Sequence, residues 1–144
     1  MIYIDSSCLV KVFRPEPDSS EVLEAINIEP EVIVSALVEL EVMVQLKADY
    51  LAGILTRPFW RQFEARFSVL RNEAPYEFRA LPASLFRTAL RQHRNAGNVH
   101  CRSLDRLHLA AMEEFGLKRL MTHDVRQSKA AVELGLEVIR PGRD

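Results

Sequence analysis

The sequence predicts an α/β protein: a three-layer sandwich in which helices cover both faces of a mostly parallel sheet of about four to five strands. Three observations predict this fold class. Short apolar runs rich in β-branched residues recur along the chain, helical patterns follow them, and Gly or Pro separates the two. Such alternation is typical of βαβ units, in which successive strands run parallel. A length of 144 residues fits one domain over residues 1–144.

Two strand-and-helix units account for the first half of the chain. Each begins with an apolar run that ends in a polar residue, Asp5 or Ser35, of a type that caps helices. The predicted strands cover 2–4 and 32–34, and the predicted helices cover 6–13, 20–27 and 35–51.

The second half repeats the pattern, with prolines and glycines as boundaries. Pro58 and Pro82 open amphipathic helices, while Gly116 and Gly135 end later ones. The predicted strands cover 76–81, 119–122 and 136–139, and the predicted helices cover 58–74, 82–97, 103–116 and 125–134.

Composition excludes several classes of protein. The apolar run Ile2-Tyr3-Ile4 already ends at Asp5, so we expect no secretory signal, and no apolar stretch approaches the ~20 residues of a spanning helix. Cys8 and Cys101 are too few for a disulfide framework or a zinc site. We therefore expect a cytoplasmic protein without membrane segments.

Charge is distributed unevenly along the chain. The net charge is −1, yet residues 57–106 carry ten arginines and only four carboxylates. The planar fork of arginine matches phosphate oxygens, so this segment suits nucleic acid; a solvated helix face is the alternative. The arginines that could contact a nucleic acid are Arg87, Arg91, Arg94, Arg102 and Arg106.

Two aspartates directly follow predicted strands and precede predicted helices, namely Asp5 and Asp124. In open parallel sheets, ligands bind outside the carboxyl ends of the strands, where the strand order reverses. Each aspartate also has a second interpretation, because Asp is a favoured helix N-cap and Asp124 with Gln127 fits a capping box.

A third carboxylate is chosen between Glu39 and Glu41 on the helix 35–51. At 100° per residue, Glu41 borders the stripe expected to be buried and Glu39 faces away. A carboxylate beside such a stripe is unfavourable unless a cation or hydrogen bonds compensate it; the alternative is a side chain that reaches solvent. The stripe expected to be buried comprises Leu37, Leu40, Val44 and Ala48.

Asp105 is the fourth candidate, in the first turn of the helix 103–116. Its alternative role is a favourable interaction with the helix N-terminus. His108 lies one turn further on the same side. We favour a structural role for His108, because a single His at the rim of an apolar helix is more often hydrogen-bonded than a metal ligand.

Four short motifs contain these carboxylates in order. They are Tyr3-Ile4-Asp5-Ser6-Ser7-Cys8-Leu9-Val10-Lys11, Val34-Ser35-Ala36-Leu37 followed by Glu41, Ser103-Leu104-Asp105-Arg106-Leu107-His108-Leu109-Ala110, and Leu120-Met121-Thr122-His123-Asp124. Each motif is weak alone, but the four in this order are specific. With them the chain resembles the PIN-domain ribonucleases and, among them, the VapC-type toxins of toxin–antitoxin systems. The resemblance covers the chain except roughly residues 52–100. In the family's motif the glutamate follows the serine by six residues, and six residues after Ser35 is Glu41.

The resemblance implies a metal-dependent endoribonuclease, the toxin of a VapBC-type pair. Its expected cofactor is Mg²⁺, with Mn²⁺ as a substitute, since hard cations select carboxylates and activate water. Asp5 and Asp105 are the expected direct ligands, while Glu41 and Asp124 bind a second ion or orient water. The expected catalytic and metal-binding residues are Asp5, Glu41, Asp105 and Asp124, supported by Ser7 and Thr122.

The resemblance also implies three partners: an RNA substrate, a VapB-type antitoxin and a second copy of the chain in a homodimer. The two N-terminal helices offer some support, because they are rather apolar for a surface. The residues expected to form this patch are Leu9, Val10, Val12, Phe13, Val22, Leu23 and Ile26.

Two other functions fit the fold class. A phosphotransfer or signalling domain would need an Asp in strand 76–81 and a Lys in strand 136–139, and neither is present. A PIN-fold binding protein without catalysis would be favoured by loss of a carboxylate, and all four are present.

Overall fold

The computed structural model describes residues 1–143 and contains a five-stranded, fully parallel sheet with helices packed on it. The predicted fold class is confirmed. The strands are β1 (Ile2–Ile4), β2 (Val32–Ser35), β3 (Tyr76–Arg79), β4 (Arg119–Met121) and β5 (Glu137–Ile139). The helices are α1 (Ser6–Leu9), α2 (Ser19–Asn27), α3 (Ala36–Leu51), α4 (Arg57–Leu70), α5 (Leu85–Asn95), α6 (Ser103–Glu114) and α7 (Val125–Glu133).

The strand order is β3-β2-β1-β4-β5. Successive strands are therefore added on one side of β1 as far as β3 and on its other side from β4, so the strand order reverses between β1 and β4. Tyr3 is in register with Ile33 of β2 on one side and Leu120 of β4 on the other. Because all strands are parallel, their carboxyl ends share one edge, and the crevice between β1 and β4 is the expected ligand site.

Element boundaries differ from the predictions by a few residues, for local reasons. The predicted helix 6–13 divides into α1 and a 3₁₀ turn, Val10–Val12. The helix predicted from Pro82 begins at Leu85 instead. Thr56 caps α4, accepting the Phe59 N–H at 3.3 Å, so that helix starts one residue before Pro58.

The predicted buried stripe of α3 is wrong. Leu37 is buried, but Leu40 and Val44 are each 59% exposed, and Ala48 is exposed as well. The helix packs through a different face, because its residues spaced four apart meet the core. The buried residues of α3 are Leu37, Val38, Val42 and Leu46.

The apolar patch predicted on the N-terminal helices is wrong too. Four of its seven residues lie in the core, and among the others Leu23 alone is exposed. Those four core residues are Leu9, Val10, Val22 and Ile26. Within residues 1–143, none of the helices has the length and apolar character needed to cross a membrane.

Candidate active site

Asp5 lies directly after the central strand β1 and is 4% exposed. Its Oδ1 accepts hydrogen bonds from Ser7 Oγ at 2.7 Å and from the Cys8 N–H at 3.2 Å, and its Oδ2 accepts one from Thr122 Oγ1 at 2.5 Å. Burial raises the pKa of Asp5 although these donors oppose the shift. Asp5 therefore caps α1, and a bound cation would lower its pKa.

Ser7 and Thr122, the predicted supporting residues, also connect the loops that follow β1 and β4. Besides donating to Asp5, the Ser7 hydroxyl accepts the His123 N–H at 2.9 Å, and the Thr122 hydroxyl accepts the Asp124 N–H at 3.0 Å. The position of Asp124 is thereby fixed relative to Asp5.

Asp105 and Asp124 share one cation, the guanidinium of Arg102. Arg102 Nη2 lies 2.7 Å from Asp124 Oδ2, and its Nε lies 3.2 Å from Asp105 Oδ2. Both aspartates are also caps: Asp105 accepts the Arg102 N–H at 2.9 Å, and Asp124 accepts the N–H groups of Arg126 and Gln127. The Arg102 side chain is 58% exposed, so it bridges them from the solvent side.

Glu41 bonds to His108, whose Nε2 lies 2.7 Å from Glu41 Oε2. Burial acts to raise the pKa of Glu41, but favourable contacts, above all the hydrogen bond with His108, outweigh it and lower that pKa. Glu39, by contrast, pairs with Arg71. Contacts therefore separate the two glutamates, whereas the helical-wheel reasoning rested on the wrong face of α3.

Behind Glu41 runs a buried hydrogen-bonded chain that the sequence analysis missed. Tyr3 Oη lies 2.8 Å from His108 Nδ1 and 2.6 Å from Ser35 Oγ. One orientation satisfies every group: Ser35 donates to Tyr3, Tyr3 donates to His108 Nδ1, and Nε2–H donates to Glu41. The clue in the sequence is Tyr3 itself, since a tyrosine in a fully buried strand requires a partner for its hydroxyl.

The four carboxylates share one edge of the sheet but lack a matching set of cations. Within residues 1–143, no three acidic, His or Cys side chains form a ready-made metal site. Asp105 and Asp124 depend on Arg102, while Asp5 is held by neutral donors. The arrangement can therefore accept positive charge.

The predicted RNA-binding arginines occupy different environments. Arg87 and Arg94 are exposed on α5 and form no ion pair with a residue between 1 and 143, whereas Arg91 pairs with Glu113. Arg102 bridges the carboxylates, and Arg106 is buried beneath the surface.

Comparisons with known proteins give a consistent result. A model of the PIN domain matches residues 2–133. Ribonuclease VapC35 of Mycobacterium tuberculosis is 33% identical over 99% of this chain and 98% of its own length. Two solved structures share the fold: the M. tuberculosis toxin VapC20, which cleaves the sarcin-ricin loop (TM-score 0.72, 17% identity, 98% and 100% covered), and a toxin–antitoxin complex from Klebsiella pneumoniae (TM-score 0.67, 15% identity, 100% of both chains).

Proposed function

Because this chain belongs to the PIN-domain family, among its VapC-type ribonucleases, we propose that it hydrolyses RNA at the four-carboxylate site with Mg²⁺ as cofactor and Mn²⁺ as a substitute. Family members of this type generally depend on a divalent metal. The observation that carries the proposal is the position of Asp5, Glu41, Asp105 and Asp124 at one strand edge with too few cations.

The side chains present fit such an ion. Their donors are all oxygen, the set preferred by Mg²⁺ and Mn²⁺. The raised pKa of the buried Asp5 indicates a carboxylate whose charge is undercompensated. Arg102 already places positive charge against Asp105 and Asp124, and its exposure allows it to leave.

We assign the following tasks to the residues of the site. Asp5 and Asp105 are the direct ligands, and the hydroxyls on Asp5 hold it in one orientation. Glu41, oriented by His108, acts with Asp124 to bind a second ion or orient the attacking water. A bound divalent ion would activate that water and stabilise the leaving oxygen. Once released, Arg102 is free to contact an RNA phosphate.

The proposed partners are an RNA substrate and a VapB-type antitoxin that holds the enzyme inactive, and the proposed location is the cytoplasm. The second has support from the toxin–antitoxin complex that shares this fold. We also propose a homodimer. The exposed face of α3, with Leu40, Val44 and Leu51, supports an apolar interface in place of the patch first expected. Light scattering of wild type and Val44→Asp tests it: a wild-type monomer at micromolar concentration would contradict the dimer.

The experiment for the proposed activity is cleavage of total cellular RNA by the purified protein with Mg²⁺, Mn²⁺ or EDTA, followed by mapping of the new 5′ ends. We expect cleavage with either ion and none with EDTA. Asp5→Asn and Asp105→Asn should reduce cleavage by orders of magnitude, because Asn is a neutral and poorer ligand of nearly the same shape.

One variant separates catalysis from capping, and a pair of variants tests the choice of glutamate. Asp124→Asn keeps a good N-cap for α7, so a pure cap would be replaced without loss, whereas a catalytic Asp124 would not. Glu39→Gln is the matched control for Glu41→Gln, since Glu39 pairs with Arg71 away from the carboxylates. Wild-type cleavage that survives EDTA would rule out the proposed chemistry.

A further inference from the structure

A cavity of about 390 Å³ lies between α5 and α6 and the loop that joins them. The residues that line it are mostly apolar. Two of these residues, Phe86 and Leu90, are 68% and 56% exposed. Arg106 also lines the cavity, with His93 and His100. An apolar cavity that includes a cation is suited to a ligand with a flat apolar body and hydrogen-bond acceptors.

Arg106 is 5% exposed, and its three side-chain nitrogens are buried with no oxygen or nitrogen acceptor among residues 1–143. None of those residues offers it a carboxylate oxygen within 4.0 Å, although Asp105 is the preceding residue. Burial raises the pKa of the neighbouring Cys101 thiol, although the charge of Arg106 and a side-chain hydrogen bond with it act to lower that pKa. A neutral thiol is only a weak acceptor for a guanidinium. A buried charge left in this state is strongly unfavourable unless a ligand supplies acceptors.

The position of the cavity connects it to the chemistry of the site. Arg106 follows Asp105 in the first turn of α6, and Ser103, which also lines the cavity, follows the carboxylate-binding Arg102. A nucleotide adjacent to the cleaved phosphate would therefore lie within reach of the cavity.

We propose that this cavity binds a guanine base of the RNA substrate, with the Arg106 guanidinium donating to its O6 and N7; this inference rests on the proposed ribonuclease function. Guanine presents two acceptors in one plane, which match the arginine fork, and this is the commonest specific contact of arginine with a base. Arg106 forms part of the cavity wall, but its nitrogens are buried, so the proposed contact requires its side chain to rotate toward the ligand.

The walls favour a base over the alternatives. Phe86, His93 and His100 offer flat surfaces of the kind on which single-stranded bases stack. A phosphate would also accept hydrogen bonds from Arg106, but its remaining oxygens would lose their hydration against the apolar walls. An acidic peptide would satisfy the charge but would leave these flat surfaces without a stacking partner.

The test is equilibrium binding of nucleoside monophosphates in EDTA, where cleavage is absent, so failure of this site is distinguishable from failure of the nuclease. The probes are GMP, AMP, 7-deaza-GMP, inorganic phosphate and an acidic Glu-Leu peptide. We expect GMP to bind about tenfold or more tightly than AMP and 7-deaza-GMP, which lack one of the acceptors.

The variants are Arg106→Met, which keeps the length of the side chain and removes its charge, and Arg61→Met, which removes an exposed arginine of α4. The guanine preference should vanish in the first and persist in the second. Equal binding of GMP and AMP, a preference that survives Arg106→Met, or displacement of GMP by phosphate or by the peptide at equal concentration would overturn the proposal.

A stability measurement keeps the proposal testable if Arg106→Met behaves unexpectedly. Without ligand, removal of an unpaired buried charge should leave Tm unchanged or raise it. A lower Tm would mean that the guanidinium is already compensated within the fold, which contradicts a ligand site.

Discussion

Two charged regions of this protein differ in their balance of charge. Around Lys11, three cations meet three carboxylates: Lys11 binds Glu16 and Asp18, Arg14 binds Glu16 and Asp49, and Arg143 binds Asp18. At the strand edge, four carboxylates have Arg102 and His108 as their only charged or chargeable partners among residues 1–143.

The difference indicates what each region does. A balanced network stabilises the chain it belongs to, because every buried charge already has its partner. An unbalanced cluster leaves a charge that a ligand must supply, as is common at functional sites. The predictions below, from the largest effect to the smallest, test that distinction.

Lys11→Met should have the largest effect on stability. It leaves Asp18 and Glu16 without the Lys11 amine, whose side chain is 3% exposed. Breaking a buried pair from one side lowers the free energy of unfolding by about 3–5 kcal/mol. Urea denaturation measures the change, with the exposed pair Arg66–Glu73 as the control: Arg66→Ala should cost about 1 kcal/mol or less. A similar small loss for Lys11→Met would mean that the network is not a stabilising unit.

Asp18→Asn should lower stability at pH 7 by about 1.5–3 kcal/mol, through lost hydrogen bonds to charged groups. The hydrogen bond from Lys11 holds the pKa of Asp18 below its ordinary value of 3.8. Its contribution is therefore complete above pH 3.8 and disappears as the pH falls toward the lowered pKa. The free energy of unfolding, measured between pH 5 and 2, should fall less steeply with pH in the variant than in wild type. An equal pH dependence in the two proteins would contradict this assignment.

His108→Gln should reduce cleavage by about 10- to 100-fold, the usual effect of removing a residue that orients a ligand. Its main effect should be on kcat and on metal affinity, since Glu41 loses the donor that orients it. Normal kcat with a raised KM for RNA would place His108 outside the metal site.

Tyr3→Phe should have the smallest effect, with about 1 kcal/mol lost from the free energy of unfolding and a decrease in cleavage of a few fold. The change removes the hydroxyl between Ser35 and His108 but leaves the bond from His108 to Glu41. A loss of activity as large as that of His108→Gln would mean that the whole chain acts as one unit.

The sequence could predict the sheet and its edge because those features have local causes. Apolar β-branched runs mark buried parallel strands, and Asp5 and Asp124 follow two of them directly. Both also cap helices, so the alternative interpretation was correct as well: in this fold a residue can be a cap and a candidate ligand at once.

Side-chain partners across the fold were beyond such reasoning. Periodicity finds apolar positions on α3 but does not show which surface covers them. An interface with a second chain would also require apolar residues at Leu40 and Val44, and these two residues are exposed here. The chain from Ser35 to Glu41 joins residues far apart in sequence. Arg102 and Arg106 are alike in sequence, yet one bridges carboxylates and the other is buried.

The most direct test of the central claim is Mn²⁺ binding, measured by calorimetry or by the electron paramagnetic resonance of free Mn²⁺, on wild type, Asp5→Asn, Asp105→Asn and Arg102→Gln. If the carboxylate cluster is a metal site, wild type binds Mn²⁺, both Asn variants lose at least about tenfold in affinity, and Arg102→Gln binds more tightly because a competing cation is gone. Binding that is absent in wild type, or unchanged by Asp5→Asn and Asp105→Asn, would contradict the claim.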